Sequence, residues 1–280
     1  MAPTFTEKQL KYIMLIPLTL LLISMILYPL IQLVLVSIDS GNIVKHLGRL
    51  AKDAEFWGSV KTTLIFVVFS VALEFLLGFV MALLVSDLES TSIRAILLLP
   101  MLVAPAAAGL IWRIMFQPMF GIINLILQAL HLPPQGWLAD PKLALPSVIL
   151  VDVWQWTAFV YLILLAGLKS IPKDPYEAAR IDGASSWQML RHVTLPLLKP
   201  TIYVALLFRS MDAFKALDKF ITLTDGGPGQ ATEVLALHIY KVSFRFLEMG
   251  YGALLAIVAV IFVIIFNESF TRAFNLRATR

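Results

Sequence analysis

The sequence contains no cysteine. That excludes a disulfide framework and leaves the redox compartment unread. Charge is scarce too: Asp, Glu, Lys and Arg make up 14% of the chain, against roughly 25% in an average soluble domain. The four histidines, His46, His131, His192 and His238, fall in separate segments and offer no metal-ligand spacing. No Gly-x-Ser-x-Gly elbow occurs. None of the 14 glycines is followed by lysine, so there is no Walker A loop. No catalytic residue and no metal ligand is therefore assigned, and the chain is not expected to be an enzyme. The net charge of +4 comes from basic residues scattered through polar segments, which is no signal for nucleic acid.

What the chain has instead is long apolar runs. Residues 12–38 and 95–112 carry no charge, 62–86 carries only Glu74, and 143–168 carries only Asp152. A run of roughly 20 apolar residues matches a bilayer core of about 30 Å. The fold class is all-α: a polytopic membrane protein forming a single transmembrane domain over 1–280. Lys8 and Lys11 precede an apolar run far longer than the core of a cleavable signal, so this run is expected to remain as the first span.

Six spans are expected, at about 12–38, 62–86, 95–116, 147–168, 201–222 and 250–270. The fifth is the least apolar. Its charges, Arg209, Asp212, Lys215 and Asp218, recur every three residues and form one stripe on a continuous helix. Such a stripe is tolerated if it faces protein or a water-filled cavity. The shorter run 120–132 reads as an interfacial helix with Asn124, Gln128 and His131 along its polar side, closed by Pro133 and Pro134.

An even number of spans leaves both termini on one side. That side carries Lys8, Lys11, Arg94, Lys169, Lys173, Arg180, Arg191, Lys199, Arg272, Arg277 and Arg280. The other carries Lys45, Arg49, Lys52, Lys61, Lys142, Lys241 and Arg245. The positive-inside rule then places both termini in the cytoplasm, together with a polar segment over 170–200.

That segment reads as two short helices. Asp174-Pro175 with Glu177 is a capping start, Gly183 suits a left-handed stop, and Ser185 with Gln188 repeats the capping pattern. Leu195-Pro196 is expected to interrupt the second helix. Neither helix is long enough to stand alone in water, so the pair needs a docking surface.

"EAARIDG" followed by "VTLP" resembles the loop signature of permease subunits in binding-protein-dependent ABC importers. Glu177, Ala178, Ala179, Gly183, Leu195 and Pro196 match it, with Val193 in place of the usual Ile. "LAGLKSIPKDPYEAARIDGAS" and "LTDGGPGQATEVL" are similar to the carbohydrate-uptake branch, in its maltose-F-like form. The resemblance implies a type I ABC importer permease fold working by alternating access in the bacterial inner membrane. It implies a second permease subunit, a solute-binding protein, and two ATP-binding subunits that hold ATP and Mg, leaving no cofactor in this chain. The six matching residues would form the ATPase-coupling helix. The rival reading is a secondary transporter or channel for a small polar solute, but no convincing internal repeat supports it.

Asp152, Gln155, Trp156 and Phe159 share one face of the fourth span. An acid, an amide and two aromatic rings suit a hydroxylated ring. Arg209, Asp212, Ala213 and Ala216 lie on the fifth span. The resemblance places the cargo site on these two spans, with these eight residues as candidates. Arg209 either reads an anionic cargo or pairs with Asp212 or Asp152. Sugar, oligosaccharide, polyol and anionic sugar derivative all remain open. "DGGPGQ", 225–230, reads as a rigid turn on the outer side, facing a binding protein.

Overall fold

The computed structural model describes residues 7–39, 43–86 and 91–273. Arg277 and Arg280 lie outside them, as do the side chains of Lys8 and Lys11, which bear on the orientation argument. Every regular element among the described residues is helical. The long helices are α1 (Glu7–Asp39), α3 (Ala54–Ser86), α7 (Pro141–Ser170) and α13 (Met249–Ala273). Between the first two lies α2 (Ile43–Lys52). Ahead of α7 come α4 (Thr91–Leu102), α5 (Pro105–Met115) and α6 (Ile122–Ala129). After it come α8 (Asp174–Ile181), α9 (Ser186–Met189), α10 (Leu195–Phe214), α11 (Asp218–Leu223) and α12 (Leu235–Tyr240).

Among the described residues four helices, α1, α3, α7 and α13, are long and apolar enough to cross a bilayer. The expected continuous helices over 95–116 and 201–222 are both interrupted. The first is α4 and α5, bent by 91° between Leu102 and Pro105. Pro100 sits inside α4 and Pro105 opens α5, so two backbone N–H groups are missing where the ladder would continue. The second ends at Phe214, and 215–217 separate α10 from α11.

The single domain read from hydropathy contains two compact units. One comprises residues 1–53 and 239–261. Within it α2 is fastened to the start of α13. Arg49 pairs with Glu248 and lies 4.1 Å over the Tyr251 ring, whose hydroxyl donates to Asp53 at 2.6 Å. His46 stacks on the same ring.

The other unit comprises 54–238 and 262–280. Its centre is α3 packed on α7, with α10 alongside. Ala82 and Val85 of α3, Val160, Tyr161, Leu164 and Leu165 of α7, and Leu198 and Ile202 of α10 form a buried core. Small residues set the spacing, as in membrane helix pairs generally. A Cβ on Gly78 would lie 2.9 Å from the Tyr161 backbone nitrogen, and one on Gly167 would lie 2.6 Å from Thr201.

The connection over 116–140 corrects the interfacial-stripe reading of Asn124. Gln128 and His131 are exposed, but Asn124 is only 1% exposed. Its amide nitrogen donates to the carbonyls of Pro118 (3.2 Å) and Gln135 (2.9 Å). Its oxygen accepts from the Gln135 N–H (3.0 Å) and from Trp137 Nε1 (2.9 Å). All four amide positions are used, so Asn124 is the pin of this loop. Asn124→Leu is expected to cost about 3 kcal/mol, since it strands several half-buried donors and acceptors. Thermal unfolding of the purified protein measures this, and an unchanged transition would contradict it.

Candidate functional site

Charged side chains within apolar helices are costly unless they pair. In the larger unit they do. Glu74 on α3, Asp152 on α7 and Arg209 on α10 are each no more than 1% exposed, and Lys219 on α11 is 3% exposed. Arg209 grips Glu74 as a fork, Nε to Oε2 at 2.5 Å and Nη2 to Oε1 at 2.9 Å. Its Nη2 also donates to Asp152 Oδ2, and Lys219 Nζ donates to Asp152 Oδ1. Two carboxylates thus face two cations, and the buried formal charges cancel. Trp156 lies beside both, 5.4 Å from the guanidinium carbon and 5.7 Å from the ammonium. These distances allow cation–π attraction.

Towards the surface the pattern loosens. Arg209 Nη1 reaches Asp212 only at 3.5 Å, and Asp212 meets Lys215 at 3.6 Å. The Lys215 side chain is 74% exposed. A cleft of about 130 Å³ opens here, lined by Pro105, Asp152, Trp156, Asp212, Lys219 and the 215–218 backbone turn.

Of the candidate cargo residues, Asp152, Trp156, Asp212 and Ala216 line this cleft. Arg209 lies behind it, held by Glu74 and Asp152, so of the two expected partners Asp152 is met closely and Asp212 only at 3.5 Å. Gln155 is fully buried. Its amide donates at 2.5 Å to the carbonyl of Val103, in the break between α4 and α5. That carbonyl has lost its helical partner, and Gln155 supplies one. Phe159 meets Trp156 edge-on and packs against the core cluster, while Ala213 is buried. The expected shared face of 152, 155, 156 and 159 is therefore split between the cleft and the bundle interior.

Sequence reading assigns Glu74 no role and does not single out Lys219. For Glu74 the signal was present, because a lone acid in an apolar span demands a cation. Lys219 was hidden by the assumption of one continuous helix. In that helix Lys219 would lie roughly 15 Å along the axis from Arg209 and about 80° around it. The break at 215–217 brings both cations onto one carboxylate.

The segment 170–200 forms a second candidate site. The residue in the cap position of α8 is Lys173, not Asp174; Asp174 is the first helical residue and makes no side-chain cap. Gly183 has φ +76. Its N–H reaches the Arg180 carbonyl at 3.1 Å, and the next N–H, of Ala184, reaches Ala179 at 2.9 Å. That is a Schellman stop. The second capping pattern forms as expected: Ser185 and Gln188 exchange hydrogen bonds at 2.8 and 3.4 Å. Leu195-Pro196 does not end the helix. A π-helical turn over Leu190–Thr194 joins α9 to α10, and this wider turn accommodates the N–H that Pro196 lacks. Tyr176 Oη and Thr194 Oγ1, 3.0 Å apart, tie α8 to that turn. Ile181 and Trp187 are left 87% and 67% exposed. Glu177 is exposed on the wall of a groove of about 960 Å³ between these helices and the ends of α3 and α7.

Residues 75–280 match the family described as binding-protein-dependent transport system inner membrane component. The chain belongs to this family. The permease is 36% identical to the trehalose/maltose transport system permease protein MalF of Thermococcus litoralis, over 98% of this chain and 96% of that one. It is 34% identical to the sulfoquinovosyl glycerol transport system permease protein SmoG of Agrobacterium fabrum, over 90% and 86%. It shares its fold with a chain in the crystal structure of a bacterial ABC transporter involved in the import of the acidic polysaccharide alginate. The TM-score there is 0.86 at 23% identity, covering 97% of this chain and 96% of that one. The permease is thus an inner-membrane transport component, and among its described residues no group of three or more His, Asp or Glu is placed to hold a metal.

The turn at 225–230 is firmly built. Asp225, Gly226, Gly229 and Gln230 all have positive φ. The Thr232 hydroxyl donates to the Gly227 carbonyl at 2.8 Å and lies 2.7 Å from that of Thr224. The Gln230 amide reaches Glu55, at the start of α3, at 2.8 Å.

Proposed function

We propose that this permease carries a sugar or sugar-like solute inward, as one of two membrane subunits driven by two separate ATP-binding subunits and supplied by a solute-binding protein. The observation that carries this reading is the cleft at Asp152 and Trp156. Carboxylate oxygens accept hydrogen bonds from hydroxyls, and an indole face covers the C–H side of a sugar ring. The end-to-end similarity to a trehalose/maltose permease supports the same cargo class.

At about 130 Å³ the cleft is below the roughly 300–1,000 Å³ of a ligand pocket. A second permease subunit facing it would complete the site. On this reading the bent pair α4–α5 and the α10–α11 pair each count as one span, giving six, with both termini cytoplasmic. The exposed helix pair around Gly183 then lies in the cytosol and docks, through Glu177, Ala178, Ala179 and the neighbouring Trp187, on an ATP-binding subunit. The turn at 225–230 lies on the outer side, against the binding protein.

The test is uptake into proteoliposomes holding the assembled complex with ATP inside. Trehalose, maltose, lactose and a sulfonated glycoside serve as cargo, each with and without the binding protein. At least one is expected to accumulate only when both ATP and the binding protein are present. Flux that persists without ATP would instead favour a secondary transporter or channel.

A further inference from the structure

The buried charges are unevenly held. Arg209 is fixed from two helices, with three hydrogen bonds to Glu74 and Asp152. Lys219 has one hydrogen-bond partner among the described residues, Asp152 Oδ1. It stands on a six-residue helix set off from α10 by three non-helical residues. So short a helix has no stability of its own, and its position depends on what its side chains hold. Asp152 also lines the cleft, and so do Lys219 and the 215–218 turn. Lys219 holds the Asp152 oxygen that a cargo hydroxyl in this cleft would need, so it has to move aside before cargo reaches that oxygen. Asp152 and Trp156 belong to α7, which is packed into the core. α11 is seated as well, with Phe220 and Leu223 buried and the Thr222 carbonyl held by Arg113, so the lining part free to swing is the Lys219 side chain rather than the helix.

Building on the cargo reading above, we infer that Lys219 is a cargo-displaced latch. In the empty permease its ammonium occupies Asp152 Oδ1 and withholds that oxygen from the cleft. A hydroxyl of the cargo takes that oxygen in its place. The exchange leaves no bare charge behind. Asp152 keeps Arg209, and the released ammonium finds Asp212, half-exposed, and Asp218, exposed, on the same cleft wall. The chemistry also fixes what displaces it. Asp152 offers acceptor oxygens beside two further acids, so the cargo group placed there is a hydrogen-bond donor. A carboxylate or sulfonate has no proton to donate to that oxygen; it would pair with the Lys219 or Lys215 ammonium instead of taking the place of Lys219 on Asp152. Lys219 is thus a positioning residue that selects for hydroxyl-bearing, uncharged ring positions.

Two measurements test this on the complete complex in lipid nanodiscs. The first is lysine footprinting by mass spectrometry with an amine-reactive reagent, before and after millimolar trehalose or maltose with the binding protein. Lys199, exposed on α10 and outside the cleft, is the internal standard. Lys219 labelling is expected to rise about tenfold relative to Lys199, the change that corresponds to moving a two-state balance by one such contact. Lys219 that stays protected while the sugar is transported overturns the latch.

The second needs no cargo. Lys219→Met is expected to raise ATP hydrolysis in the absence of cargo and binding protein, and Lys219→Arg to restore the low rate. A purely structural lysine would give the reverse, a parallel fall of all activities in Lys219→Met. If no sugar stimulates the wild-type complex, the cargo reading fails. The latch is then decided by the cargo-free rates alone: a rise that Arg reverses upholds it, and no rise overturns it.

Discussion

Replacing Arg209 by methionine is expected to abolish uptake and to remove most of the stability of the assembled permease. The side chain sits between Glu74 and Asp152 with all three groups buried. Without it two buried carboxylates face one cation, Lys219, which pairs with Asp152 and leaves Glu74 with no cation of its own. Breaking a buried pair from one side costs about 3–5 kcal/mol, because the remaining charge stays in a medium that solvates it poorly. That is a large part of the roughly 5–15 kcal/mol that holds a typical domain together.

The charge count supplies the control. Removing Glu74's charge as well, in Glu74→Gln with Arg209→Met, leaves Asp152 against Lys219 and restores the balance. Size-exclusion profiles and thermal transitions of the complex are expected to be poor for Arg209→Met and largely recovered for the double variant. Equal damage in both would mean that Arg209 acts through packing rather than charge. Uptake in the double variant should stay low, because α3 is no longer bound to α10 through that fork.

The second large effect is expected at Gly183. A Cβ there would meet nothing within 4 Å, so space is not the constraint. The constraint is φ +76, which costs an L-residue about 1–2 kcal/mol and a β-branched one more. Gly183→Val should therefore undo the Schellman stop and change the angle between α8 and α9. The membrane core lies elsewhere, so insertion and yield should be unchanged. Uptake per ATP hydrolysed is expected to fall tenfold or more, corresponding to about 1.4 kcal/mol lost from the coupled arrangement. Gly183→Asn, which tolerates the left-handed region, should recover much of it. Normal coupling in Gly183→Val would remove this segment from the drive mechanism.

These two sites differ in how far the sequence disclosed them. Around Gly183 the interactions are local, so the left-handed stop and the Ser185–Gln188 capping box were both readable within a few residues. The start of α8 was misread by one position, since an Asp before Pro looks like a cap whether or not its side chain turns back. The apolar lengths of α1, α3, α7 and α13 were equally plain. Their partners were not. Glu74 and Arg209 are 135 residues apart, and nothing short-range says that one will meet the other.

The helix interruptions divide along the same line. The α4–α5 bend had Pro100 and Pro105 as warning. The break after Phe214 contains neither Gly nor Pro; what it serves is long-range, the placing of Lys219 on Asp152 and the burial of Phe220 and Leu223. Asn124 misled for the opposite reason. Its spacing with Gln128 and His131 was a sound periodic signal, but the loop that consumes its amide has no periodicity to read.

Because the π-helical turn carries the chain past Leu195-Pro196 without a stop, residues from Ser186 to Phe214 make one unbroken rod. Arg209 stands about 35 Å along it from Ser186, at 1.5 Å per residue. A tug or twist applied at the near tip is therefore handed along one helical path to the guanidinium in the charge cluster, with the π-helical turn and Pro200 as the places where the shaft can flex.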